Sequence, residues 1–119
     1  MIVIGNQTSI RGGQLAALEG TSITIGEDCM FSHSIAFRTS DSHVIKDHDG
    51  NRINPAKSIS IGDHVWLGAH VTVLKGVEIA SNSIVGIGAI VTSSLSTSNT
   101  IYAGIPAKKV KENINWSRV

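Results

Sequence analysis

The segment RTSDSHVIKDHDGNRIN, from Arg38 to Asn54, gathers two His, three Asp, two Arg and one Lys. Elsewhere the chain keeps a beat of short aliphatic residues and glycine. Several chemistries are open to this cluster. A histidine ionises near neutral pH, so His43 could take the proton from a hydroxyl that attacks an electrophile. Asp41, two residues earlier, either orients that imidazole or sits in a solvated turn. His43 and His48, five apart, could instead supply two ligands of a zinc site that needs a third histidine. Lys46, Asp47, His48, Asp49, Asn51, Arg52 and Asn54 suit a hydroxyl-rich acceptor. The remaining chemistry-bearing groups are the aromatic Trp66 and the lone Cys29.

The elements that must position these residues follow a period of six. From Pro55 the chain divides as PAKSIS, IGDHVW, LGAHVT, VLKGVE, IASNSI, VGIGAI, VTSSLS, TSNTIY and AGIPAK. The first slot holds Ile61, Leu67, Val73, Ile79, Val85 and Val91, then weakens to Thr97 and Ala103. The fifth slot holds Ile59, Val65, Val71, Val77, Ser83, Ala89, Leu95 and Ile101. The same phase occurs upstream in EGTSIT, IGEDCM and FSHSIA, so the interruption is bounded by Phe37 and Pro55. The start, IGNQTSI, is three residues out of phase, which places an offset between Ile10 and Ile23.

Six fits neither the helical period nor simple alternation. It fits a triangular coil whose sides are six residues long. First-slot residues point inward, fifth-slot residues fill the corners, and glycine or a short polar residue occurs at the turn. Three units close a coil, so Ile61 should stack on Ile79, Leu67 on Val85 and Val73 on Val91. Coils at strand spacing, about 4.8 Å, make parallel ladders around an aliphatic core. Cys29 then occupies a buried fifth slot and is no nucleophile. Trp66 occupies an outward sixth slot, and His64 and His70 occupy outward fourth slots, in solvent or at a subunit contact. After Pro106, the segment AKKVKENINWSRV places Val110, Ile114 and Trp116 on one face of an expected short helix, about 107–117, that caps the open end.

At 119 residues with net charge +1, the chain is expected to be one domain without a nucleic-acid footprint. No stretch approaches the roughly 20 apolar residues of a membrane span. One Cys and no recognisable leader point to the cytoplasm.

The repeat [LIV]-[GA]-x-x-[STAV]-x resembles that of left-handed parallel β-helices built from hexapeptides. Together with DSH at 41–43, IGDHVWLG at 61–68 and GIPAK at 104–108, it resembles the acetyl-CoA-dependent O-acetyltransferases. These include galactoside, maltose and xenobiotic acetyltransferases and, nearest in motif, capsular or surface polysaccharide O-acetyltransferases. The resemblance runs from Ile23 to Lys111. It implies His43 as general base, Trp66 beside it, and direct attack of a saccharide hydroxyl on the acetyl thioester. It also implies that Trp66, Gly68, Ala69, Ile87, Thr92, Ser93, Lys108 and Lys111 bind acetyl-CoA, with no metal. Gly68 and Ala69 would offer backbone N–H and C=O groups; Lys108 and Lys111 would meet the phosphates. The family's Lys after the Thr is Ser93 here. The family forms homotrimers with sites between subunits, where the loop at about 43–54 would wall the groove. Many relatives carry more chain before the repeat, so a catalytically weak or truncated trimer with a binding or assembly role is a second reading. A γ-carbonic-anhydrase-like metal hydratase is a third.

Overall fold

A six-residue period requires the backbone to turn after every unit. The computed structural model, which describes all residues from Met1 to Val119, shows how it does so. The first coil comprises β1 (Ile2–Ile4), β2 (Ser9–Ile10) and β3 (Gly13–Ala16). The second comprises β4 (Ile23–Ile25), β5 (Met30–Phe31) and β6 (Ile35–Arg38). The third comprises β7 (Ile59–Ile61), β8 (Trp66–Leu67) and β9 (Thr72–Val73), and the fourth β10 (Glu78–Ile79), β11 (Ile84–Val85) and β12 (Ile90–Val91). Two strands follow, β13 (Ile101–Ala103) and β14 (Lys108–Lys111). Equivalent sides stack into three sheets, β1-β4-β7-β10, β2-β5-β8-β11-β13-β14 and β3-β6-β9-β12. All pairs are parallel except β13–β14. The whole chain, coils and excursions together, measures 53 × 27 × 21 Å.

The expected ladders are present: Ile61 lies on Ile79, Leu67 on Val85 and Val73 on Val91. They continue upward through Ile25, Phe31 and Phe37. First- and fifth-slot residues from Ile23 to Val91 are buried, with Phe31 and Phe37 meeting at 5.6 Å inside the second coil. The turn itself belongs to the fourth slot. Asp28, Ser34, His64, His70, Asn82, Gly76 and Gly88 there all have positive φ, between 52° and 77°. That left-handed region favours Gly, Asn and Asp, the short polar residues the slot contains. Second-slot glycines have another purpose. A Cβ on Gly62 would lie 2.8 Å from the Ser81 nitrogen, so glycine there lets neighbouring coils approach.

The upstream offset is resolved in two steps. Ile10 pairs with Phe31 but Leu15 pairs with Phe37, so the first coil is one residue short at its second corner. A longer turn before Ile23 then restores the phase.

Two expectations change below Val91. Leu95 bridges to Ile79 and Tyr102 pairs with Val85, displacing Thr97 and Ala103 from the inward positions. Leu95 and Tyr102 are buried, whereas Thr97 and Ala103 are too small or polar to fill the core. The Tyr102 hydroxyl escapes to the last turn, donating to Thr97 O at 2.7 Å and accepting from Thr97 N at 3.0 Å. The expected helix at 107–117 is absent. Lys108–Lys111 instead pairs antiparallel with Ile101–Ala103. A lone helix of this length is marginal. The free edge of β13 offers backbone partners at once.

The interruption after Phe37 is an ordered hairpin. Ile53 N donates to Ile45 O, and Asp47 N to Asn51 O, both at 2.9 Å. The Asp47 carboxylate accepts from the Asp49 and Asn51 amides and shapes the tip, where Gly50 has φ +82°. The hairpin is tied to the turn between β3 and β4 by Arg52, whose two NH groups reach the Glu19 carboxylate at 2.7 and 3.0 Å. Ser40 also hydrogen-bonds that carboxylate. Together these lower the Glu19 pKa to about 2, Arg52 contributing first.

Gly62→Ala is expected to destabilise the rod by roughly 1–3 kcal/mol, because the added methyl meets the Ser81 backbone as well as its hydroxyl, and the backbone cannot swing away. An unchanged urea midpoint would remove close approach as the reason for that glycine. The Glu19 contact contributes stability above the carboxyl's ordinary pKa of 4.5 and loses it as pH falls toward about 2. Wild type should therefore lose more stability than Glu19→Gln when the urea midpoint is compared at about pH 6 and about pH 3. Equal losses would show that the contact does not persist in solution.

Candidate active site

His43 lies on the outgoing limb of the hairpin and is exposed. Its ring has no hydrogen-bond partner in the chain, but its carbonyl accepts from Asn54 Nδ2 at 2.8 Å. Asn54 was expected among the residues facing an acceptor. It is only 6% exposed and holds the hairpin base together. Its Oδ1 accepts from Ile45 N at 2.8 Å, and its Nδ2 also reaches Asp41 Oδ2 at 3.0 Å. Asp41 does not orient the imidazole within the chain. Its carboxylate takes the Lys75 ammonium at 2.6 Å, and this contact, then Asn54, holds its pKa below the ordinary carboxylate value. Asp41 and Asn54 thus fix the backbone that carries His43 and leave its ring free.

Trp66 is 37% exposed on the outer face of β8, between Met30 above and Ile84 below. Gly68 and Ala69 form the next corner. The Gly68 N–H donates to Val85 O and the Ala69 C=O accepts from Gly88 N, each at 2.8 Å. The groups left unpaired are therefore the Gly68 C=O and the Ala69 N–H, which narrows the expectation for this pair. Ile87, directly below, is 74% exposed. Lys108 and Lys111 lie exposed on β14, three strands below Trp66 in the same sheet, about 14 Å away at strand spacing.

Thr92 and Ser93 are exposed but follow β12, at the other end of the third side. That corner column also contains Lys75 and, through it, Asp41 and the hairpin. The expected site residues therefore divide between two edges of one prism. Trp66, Gly68, Ala69, Ile87, Lys108 and Lys111 belong to one edge, and His43, Thr92 and Ser93 to the next. A single chain does not bring His43 to Trp66.

Cys29 is fully buried, and burial is the first cause that raises its thiol pKa. A groove of about 360 Å³ lies on the first side, lined by Ser60, Glu78, Ser81, Ser94 and Leu95, among others, and contains no expected site residue. His64 is not left to solvent as expected. It sits beneath Trp116, its ring 3.7 Å from the indole. His70 stays exposed, edge-on to His33 at 5.3 Å. Sequence reasoning missed the roles of Lys75 and Trp116 because each acts across coils on a partner distant in the chain, and that of Asn54 because its partners meet it only once the hairpin closes.

The hexapeptide repeat of succinyl-transferase matches residues 58–93. The chain is 42% identical over 118 residues to a polysialic acid O-acetyltransferase from Escherichia coli O1:K1, covering 98% of this chain and 38% of that protein. It is 44% identical over 113 residues to the polysialic acid O-acetyltransferase of Neisseria meningitidis, covering 94% and 53%. The crystal structure of a polysialic-acid-specific acetyltransferase superposes with a TM-score of 0.92 at 42% identity, over 99% of this chain and 55% of that one. An acetyltransferase from Vibrio cholerae complexed with acetyl coenzyme A superposes with a TM-score of 0.77 at 29% identity, over 93% and 60%. The chain thus spans about two fifths to three fifths of the proteins it matches. The chain thus carries the hexapeptide repeat, folds as the stacked coils of the β-helix class and is similar, over nearly its whole length, to one part of these O-acetyltransferases.

Proposed function

We propose that the protein transfers an acetyl group from acetyl-CoA to a saccharide hydroxyl, in sites formed between copies of a homotrimer. The observation that carries this reading is the division of the candidate residues between two adjacent edges of the prism. A cyclic assembly sets one copy's His43 edge against its neighbour's Trp66 edge, and three such contacts close the ring. Val44, Ile45 and Ile53 are each more than half exposed on the hairpin, apolar surface suited to burial against that neighbour. The pairing also provides the concave groove that a convex prism lacks.

In this arrangement Trp66, Ile87 and Thr92 flank the pantetheine arm, with Ser93 beside it, and Lys108 and Lys111 meet the phosphates. An acceptor hydroxyl attacks the thioester carbonyl while His43 takes its proton. The tetrahedral oxyanion accepts a hydrogen bond from the unpaired Ala69 N–H, beside Gly68. Collapse breaks the C–S bond, the proton passes from His43 to the departing thiolate, and the acetyl ester remains on the sugar. A polyhydroxylated acceptor fits the polar hairpin tip, Lys46 to Asn51. Two relatives are named for polysialic acid, which makes that polymer the first acceptor to assay. Nothing in this chemistry calls for a metal, and the cytoplasm, where acetyl-CoA is available, is the proposed compartment. The proposed domain is the whole chain, 1–119.

His43→Ala should lower thiol release from acetyl-CoA by roughly 10²–10⁴-fold with coenzyme A affinity unchanged. A full-rate mutant would falsify the base assignment. Mixing His43→Ala with Trp66→Ala after dissociation should restore part of the activity, because some interfaces regain both residues. If the remixed protein stays as inactive as its parents while light scattering shows mixed trimers, each site lies within one chain.

A further inference from the structure

The residues after β14 cross the stack along one corner, following the left-handed residues Asn99, His64, Asp28 and Gln7. Ile114 N donates to Asn99 O at 2.9 Å, while Asn99 Nδ2 reaches Ile114 O at 3.2 Å. Two residues on, Trp116 and His64 exchange hydrogen bonds. Trp116 Nε1 donates to His64 O at 2.9 Å, and His64 Nε2 meets Trp116 O at 2.9 Å. Two residues further, Arg118 donates to Cys29 O at 2.9 Å, to Ser9 Oγ at 3.0 Å and to Gln7 O at 3.2 Å. The C-terminal residues are thus a strap across the coils, with Trp116 buried at its centre.

The protonation state of its clasp follows from the partners. His64 Nε2 faces a carbonyl oxygen, which can only accept. His64 Nδ1 faces Asp28 Oδ2 at 2.8 Å. Asp28 is ionised at neutral pH, because its hydrogen bond with His64, first, and then the charges of His64 and Arg118 hold its carboxyl below the ordinary range. With an acceptor at each ring nitrogen, the clasp is fully hydrogen-bonded only when the imidazole carries both protons. The ring lies parallel to the indole, 3.7 Å away with 5° between planes, against the negative face that favours a cation. Other charged groups at this corner are Arg118 on the strap, Glu27, whose carbonyl accepts the His64 N–H at 2.8 Å, and Asp63 on the same turn. The centres of the Trp116 and Trp66 rings then lie 6.0 Å apart, their planes tilted by 51°.

We propose that His64 and Trp116 are positioning residues for Trp66, held in place by a strap whose central clasp is complete only while His64 carries both ring protons. The inference rests on the reading of Trp66 as part of the acetyl-CoA groove. Trp116 forms the wall behind the Trp66 ring and limits its rotamers. As pH rises and His64 loses one proton, one of its two bonds is lost and the wall loosens.

The test uses the full chain and coenzyme A itself. His64→Asn is the informative variant, since asparagine tolerates the φ of +52° at that corner but cannot become a cation. In Trp66→Phe, Trp116 is the sole tryptophan. Its emission should rise as pH is raised from about 5 to about 9, because protonated histidine in contact with an indole is lost, and added His64→Asn should abolish the change. In the otherwise native chain, His64→Asn should weaken coenzyme A binding by about fivefold at about pH 6 and leave it equal to wild type at about pH 9. Flat Trp116 emission, or equal affinities at both pH values, overturns the proposal. Trp66→Ala separates the two levels. If it loses affinity while His64→Asn does not, the groove reading stands and the positioning role alone falls. If Trp66→Ala binds as wild type does, both fall.

Discussion

Everything in this protein depends on how closely one coil can lie on the next. Backbone hydrogen bonds set that spacing, and every side chain must accommodate it. Inward positions take aliphatic residues that stack on their own kind, and the second-slot positions Gly26, Gly62 and Gly68 leave no room for a side chain. At Gly26, as at Gly62, a Cβ would collide with backbone of the coil below, in this case the Gly62 carbonyl. The corner needs a residue content with positive φ, hence the run of Asp, Ser, His, Asn and Gly in the fourth slot. Three unrelated steric demands, repeated every six residues, leave few slots free for function.

The freedom that remains lies at the corners, where extra chain can leave and rejoin without disturbing a ladder. The hairpin between β6 and β7 uses one corner and the C-terminal strap another. Neither has a core of its own. The hairpin depends on Glu19–Arg52 and on the four-way hydrogen bonding of Asn54, and the strap on Trp116 against His64. Polar contacts therefore hold the parts that carry the proposed chemistry, while apolar ladders hold the scaffold. This separation allows a corner to be altered at little cost to the rod.

The distribution of candidate residues over two edges has a simple origin. Each edge collects residues that recur at the same slot in successive coils, so neighbours in space are a full coil apart in sequence. Ala69 and Ile87 share an edge for this reason, as do Lys75 and Ser93. His43 joins the second of these edges because Lys75 and Asn54 hold the segment that carries it. A catalytic pair drawn from different edges needs a second copy of the chain to meet.

The sequence alone was sufficient for the coil: Ile61, Leu67 and Val73 declare the period, and burial of an aliphatic every six residues has few solutions. It also bounded the excursion between Phe37 and Pro55. It misplaced Thr97 and Ala103, because choosing Leu95 and Tyr102 for the core depends on volume in the coil above, which no local pattern records. It proposed a helix where β14 forms, since an amphipathic stripe cannot report that an unpaired strand edge lies within reach. His64 looked solvent-facing for the same reason: Trp116, which covers it, is 52 residues away. Repetition is a local property and was legible. The partners of Lys75, His64 and Trp116 were decided only when the coils stacked, because those hydrogen bonds join residues that adjacency in the chain never brings together.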